Sequence, residues 1–218
     1  MNKKSVYIYN DEWFDSTALE NPLTTDDHKL DNCYPEYYEL NYDVRLLATE
    51  ENEIEDEIND YKQRYGTKDL NELTEYIIKK NPKSVLLNGF DQEQFDYIID
   101  FIKEVKILYL FKCNKINNLS KLSGCLQLEC LHIDWNNHLE SLWNMNNNVK
   151  LKVLSFERIT RLSNIEDLIN TNIEYIVFDS RNEIGQTKYE FSVNIEIFKQ
   201  MRNLKYLKLQ YKNVKVDY

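Results

Sequence analysis

The chain has 218 residues, of which 42% are hydrophobic, with 16 Tyr and 9 Phe; that much apolar side chain excludes a disordered polypeptide. A formal net charge of −10 disfavours binding to nucleic acid or to an anionic membrane surface. The charge is unevenly placed, because residues 1–81 hold 20 acidic and 9 basic residues while 82–218 hold 17 and 18.

At the N-terminus, Lys3 and Lys4 precede no apolar h-region, and no apolar run in the chain approaches the ~18 residues of a membrane span. A cytoplasmic location is therefore expected. Lys4–Tyr9 and Tyr37–Leu47 have the Tyr, Val, Ile and Leu content of strands. Between them His28, Asp26, Asp27, Asp31 and Cys33 form a loose cluster that reads as a polar turn. Glu51–Tyr65 reads as a charged helix ended by Gly66, its acidic run being either a solvated face or a docking surface for a basic protein. Lys68–Lys80 reads as a helix with Leu70, Leu73, Tyr76 and Ile77 inward, stopped by Asn81-Pro82. Residues 1–81 are thus expected to be a small acidic α+β region whose last helix caps the domain formed by residues 82–218.

From Pro82 onward the pattern changes to a period. Six segments superimpose, starting at Pro82, Val105, Leu128, Leu151, Ile173 and Leu204, with Val, Leu, Ile or Phe at places one, four and six apart from Pro82 itself. Places four and six lie two apart and so face the same side of a strand. Stacked in order, the six strands make a parallel sheet with one continuous core. Beyond each strand the apolar residues fall every three, as in Ile116, Leu119, Leu122, then Leu139, Leu142, Met145, then Leu162, Ile165, Leu168, the period of a 3₁₀ or helical return. The first return is expected to be a fuller helix, with Asp91 as N-cap and Phe95, Ile98, Ile99 and Ile102 buried. The long fifth unit has eight surplus residues between Ile184 and Ile195, which reads as an inserted loop.

Val105–Ile116 and Leu128–Leu139, the latter with Asn136 at the ninth place, resemble the leucine-rich-repeat consensus L-x-x-L-x-L-x-x-N/C-x-L. The resemblance covers residues 82–218, and the 22–23-residue spacing is similar to the short bacterial type. It implies an α/β solenoid with a concave parallel sheet and a convex helical and 3₁₀ side. It also implies a protein partner bound on the concave sheet, and no chemistry of its own. The ninth place departs from the consensus at Phe90, Ile159, Arg181 and Lys212, so the side-chain ladder usual there is expected to be mostly missing. Cys113, at the buried turn position, is structural in this reading.

Places three, five and seven of each strand face away from that core. They present Tyr109, Phe111, His132, Asp134, Glu157, Tyr175, Asp179, Tyr206 and Lys208, with Trp135 and Arg158 at the edge. Asp134, Glu157 and Asp179 fall at place seven of three consecutive strands, which suggests an acidic row for a cationic group framed by Tyr109, Phe111 and Trp135. Cys130, His132 and Asp134 share one strand face, but alternate strand residues are ~6–7 Å apart along the chain, too far for a thiol–imidazole pair. The four cysteines have neither a CxxC pair nor a disulfide-scaffold spacing. No metal, cofactor or catalytic residue is expected. The expectation is a non-enzymatic, monomeric binding module for another protein, a basic one fitting the acidic N-terminal region, acting as an inhibitor, an immunity-type partner or an adaptor. The alternative is the substrate-recognition part of an enzyme or bacterial effector.

Overall fold

In the computed structural model of the protein, residues 5–8, 44–49, 67–68, 70–179 and 194–210 are described. The Glu51–Tyr65 helix, the His28 cluster and the inserted loop of the fifth unit lie outside them. The architecture is α/β, built on one sheet. Its strands are β1 Ser5–Ile8, β2 Val44–Thr49, β3 Thr67–Lys68, β4 Ser84–Asn88, β5 Ile107–Phe111, β6 Cys130–Asp134, β7 Val153–Glu157, β8 Tyr175–Asp179 and β9 Tyr206–Gln210. Their order is β3-β1-β2-β4-β5-β6-β7-β8-β9.

From β4 to β9 every strand pairs in parallel with the next, place for place: Leu108 opposes Leu131, Leu131 opposes Leu154, Leu154 opposes Ile176 and Ile176 opposes Leu207. The register follows from burial. Slipping by one residue would turn every Leu, Ile and Phe of places four and six to the opposite face. Those side chains, from Val85 and Leu87 through Phe156 and Phe178, enter one core with the return segments, including Ile116, Leu119, Leu122, Leu139, Met145, Ile165 and Leu168. Each fully buried Leu, Ile or Phe contributes about 1.5–3 kcal/mol relative to exposure, so the core dominates the energetics.

The returns are short. Helix α1 spans Leu70–Lys80 and leads into β4, helix α2 spans Gln92–Ile99, and α3 spans Glu196–Gln200. Single 3₁₀ turns cover Ser120–Gly124 and Glu166–Leu168. Helix α2 begins with a complete capping box, Asp91 accepting from the Gln94 backbone while the Gln94 side chain accepts from the Asp91 backbone. Phe95, Ile98, Ile99 and Ile102 are buried beneath it.

The sheet does not stop at residue 82. Strand β2 pairs in parallel with β4, Val44 opposing Val85 and Leu46 opposing Leu87, and β1 and β3 extend the edge antiparallel. Part of the N-terminal region therefore continues the same sheet. Among the described residues no helix is long and apolar enough to cross a membrane.

Candidate functional site

The sheet has a second face, and it is more closed than a solvent-washed surface. Tyr109 is 2% exposed, and His132 and Asp134 are 1% exposed. Cys130, Ser155, Val177 and Asp179 are also buried, whereas Phe111, Trp135, Glu157, Arg158, Tyr175, Tyr206 and Lys208 are half-buried. The outward face expected from the strand period is thus partly a second, polar core. Parallel strands ~4.8 Å apart bring like-placed side chains flank to flank, and large ones cover one another. The Tyr109 and His132 rings stack at 4.4 Å, Tyr109 and Phe111 meet tilted at 5.8 Å, and Cys130 and Val153 bury each other between Ile107 and Tyr175.

At the C-terminal ends of four strands the chain makes the same turn. Gly89, Lys112, Trp135 and Arg158 all have positive φ, at 72°, 52°, 63° and 50°. Each donates its backbone N–H to the last residue of the neighbouring strand: Gly89 to Phe111 at 2.9 Å, Lys112 to Asp134 at 3.0 Å, Trp135 to Glu157 at 2.9 Å and Arg158 to Asp179 at 2.8 Å. Glycine tolerates this conformation, but for the other three it costs about 1–2 kcal/mol each. The turn lines their side chains up along the sheet edge. The Lys112 ammonium sits 5.1 Å from the Phe111 ring and 5.2 Å from the Trp135 ring, and the Arg158 guanidinium 5.1 Å from Trp135. The aromatic frame expected to receive a partner's cation already holds the chain's own cations.

The acidic row exists in the expected register, Asp134 opposing Glu157 and Glu157 opposing Asp179, but its charges are not equivalent. Arg158 takes both oxygens of Asp134, Nε donating to Oδ1 at 2.7 Å and Nη2 to Oδ2, and the Tyr109 hydroxyl donates to Oδ2 at 3.3 Å. Burial pushes the Asp134 carboxyl up and these donors pull it back. For Arg158, burial works to lower the value, but the hydrogen bonds and charge of Asp134 outweigh it, so the guanidinium is held above its ordinary value. Lys208 Nζ lies 3.5 Å from Asp179. Glu157, between them, is in ion-pair contact among the described residues only with His132, whose Nε2 lies 3.6 Å from Oε1, although the charges of Arg158 and Lys208 also reach it.

Burial, reinforced by the charges of Asp134 and Asp179, raises Glu157 to about 8. Burial, reinforced by Arg158, lowers His132 to about 3. At neutral pH the pair is therefore a carboxylic acid facing a neutral imidazole. Among the described residues both ring nitrogens of His132, and the Ser155 hydroxyl across from it in register, are buried without a hydrogen-bond partner. Leaving such groups unsatisfied costs about 1–3 kcal/mol each.

Cys130 and His132 make no hydrogen bond, and burial pushes the Cys130 thiol up to about 12, far from a thiolate nucleophile. Among the described residues no group of three or more His, Cys, Asp or Glu is arranged to hold a metal ion. Sequence reasoning passed over Lys112, although it stands 23 residues before Trp135, and it placed Ser155 on the outward face, where the structure buries it. It also passed over place two of the strands, where charges alternate: Lys106 pairs with Glu129 at 3.0 Å, and Lys152 and Lys205 both pair with Glu174, at 3.0 and 2.5 Å. No family model matches the chain, and no curated protein matches its sequence.

Proposed function

We propose that the chain is a leucine-rich-repeat solenoid acting as a non-enzymatic, cytoplasmic protein-binding module, an inhibitor, immunity-type partner or adaptor, with another protein bound across the second face of its sheet. The observation that carries this reading is the half-buried aromatic and charged rim of that face. Phe111, Trp135, Tyr175 and Tyr206, with Arg158 and Lys208, are partly open to solvent over a buried polar floor of Tyr109, His132, Asp134 and Asp179. Rigid aromatics and an Arg held by their own neighbours lose little freedom on docking, which is what energetically dominant contacts require. The in-register strands from β4 to β9 and the buried three-residue spacing of the returns support the solenoid.

The rim, rather than the floor, is what a partner touches. The acidic row is correspondingly muted, because Arg158 and Lys208 pair with the outer two carboxylates and burial holds the Glu157 carboxyl toward its uncharged form. Affinity capture from the native cytoplasm tests the reading. Changing Phe111, Tyr175 and Tyr206 together to Glu should abolish capture of the specific partner. Changing the exposed Leu126 and Val149 to Glu, on the return side, should not. Equal capture by both variants would remove the sheet face from consideration.

A further inference from the structure

We propose that Glu157, His132 and Ser155 form a binding site for one primary ammonium group. Three observations converge on it. First, among the described residues Glu157 is the carboxyl of its row to which the chain brings no cation into contact: Asp134 has Arg158 and Asp179 has Lys208. Second, the side chain facing it, His132, is 1% exposed and among the described residues has no hydrogen-bond partner on either ring nitrogen, and Ser155, equally buried and one strand over, has none there on its hydroxyl. Third, the Glu157 side chain is 12% exposed, so the carboxyl meets solvent while the His132 nitrogens and the Ser155 hydroxyl behind it are closed over.

The chemistry selects the ligand. A carboxylate oxygen, the lone pair of a neutral imidazole and a hydroxyl oxygen are three separate acceptors, and an –NH₃⁺ group is a compact point charge with three donors. A guanidinium presents a flat fork that suits one carboxylate edge-on, the arrangement Arg158 already makes with Asp134. A quaternary ammonium has the charge without the donors. Around the site stand Tyr109 and Asp134 on the β6 side, Lys112 and Arg158 at the turns, and Asp179 and Lys208 beyond β7. With two carboxylates against three cations around it, the incoming ammonium has Glu157 alone as its counter-charge. Because the carboxyl is protonated in the empty site at neutral pH, arrival of the ammonium releases that proton to solvent, and affinity rises with pH until Glu157 is ionised without help.

The ammonium comes either from a lysine of a protein partner, which rests on the binding-face reading above, or from a free amine, which does not. Nuclear magnetic resonance of the full chain tests the site with three probes: n-butylammonium, Nα-acetyl-lysine methylamide and tetramethylammonium, each followed at the His132 ring. We expect saturable shifts with the primary amines, none with tetramethylammonium, and an apparent affinity about tenfold higher at pH 7 than at pH 6. Calorimetry in two buffers of different ionisation enthalpy should show about one proton released per amine bound at pH 7. Binding should vanish in Glu157→Gln, whose fold is checked by its retained His132 resonances, and weaken in Ser155→Ala. Binding of the lysine amide assigns the source to a protein side chain, and binding of butylammonium alone assigns it to a free amine. The proposal is overturned if neither amine shifts His132 saturably, if tetramethylammonium does so equally, or if Glu157→Gln binds as the parent does. Loss of capture by the aromatic rim variant with amine binding intact would separate the two readings.

Discussion

Arg158 reaches back from the turn after β7 to hold both carboxylate oxygens of Asp134, a residue 24 positions earlier that is 1% exposed. The guanidinium is only partly buried, at 24% exposed, so the pair joins the buried floor of the sheet's second face to its solvent rim. Its partners on either side are fixed as well, Tyr109 on the carboxylate and Trp135 beneath the guanidinium.

Arg158→Ala strands the Asp134 charge in the sheet and should destabilise the fold by about 3–5 kcal/mol, the cost of breaking a buried pair by removing one partner. Arg158→Lys should recover only part, since it loses the two-pronged geometry. Asp134→Asn combined with Arg158→Met should be far milder than Arg158→Ala alone. Urea denaturation of the four proteins decides this, and equal midpoints for Arg158→Ala and the parent would show that the pair is not buried in solution.

Stability should vary with pH in a way that names two residues. Glu157 has a folded value of about 8 against an ordinary 4.5, so its contribution is complete below 4.5 and is lost as the pH rises through 8. His132 has a folded value of about 3 against 6.5, so its contribution is complete above 6.5 and is lost as the pH falls toward 3. The two slopes cancel between 4.5 and 6.5, giving a plateau, and between 6.5 and 8 stability should fall by about 2 kcal/mol. Glu157→Gln should remove that alkaline fall, and denaturant midpoints measured from pH 5 to pH 9 would show it.

Three of the four thiols should be inert in the folded protein. Cys113, Cys125 and Cys130 are buried, and burial raises Cys125 to about 11 and Cys130 to about 12. A thiol reagent at pH 8, followed by peptide mapping, should label none of the three until denaturant is added. Cys130→Ser is no solvent-side change: it buries a hydroxyl against Val153 and should cost about 1–3 kcal/mol, with Cys130→Ala milder. Rapid native labelling of Cys130 would contradict its burial.

Two asparagines should prove structurally expensive. The Asn136 amide donates to the carbonyls of Cys113 and Ile116 at 2.9 and 2.7 Å, and its Oδ1 accepts from the backbones of His138 and Leu139, both at 2.8 Å. Asn148 donates to Leu122 and Cys125 at 2.8 and 2.9 Å and accepts from the Trp143 indole at 2.9 Å. Replacing either by Ala should cost about 2–4 kcal/mol, since buried backbone carbonyls lose their donors. Thermal or urea unfolding checks it. Cys113 holds the corresponding place with a weaker thiol contact to the Leu87 carbonyl, at 3.3 Å, so Cys113→Ala should cost less than Asn136→Ala.

The strands from β4 to β9 and their register were legible in the order of residues alone. Places four and six must be buried together, and a strand's period of two leaves one way to do that. The buried returns and the Asp91 cap of α2 were legible too, because these depend on residues a few positions apart. Asp134, Glu157 and Asp179 were correctly placed in a row with Arg158 at its edge, yet on a face read as open to solvent. It took packing in three dimensions to set Arg158 and Lys208 against the outer two, to fill the aromatic frame with Lys112 and Arg158, and to bury His132 and Ser155 beside Glu157. Whether a side chain on a strand is wet depends on the bulk and reach of neighbours about 23 residues away, on both sides. Whether a charge is free depends on which long side chain arrives first from the next turn. Neither quantity has a period along the chain, so a pattern read one strand at a time does not contain it.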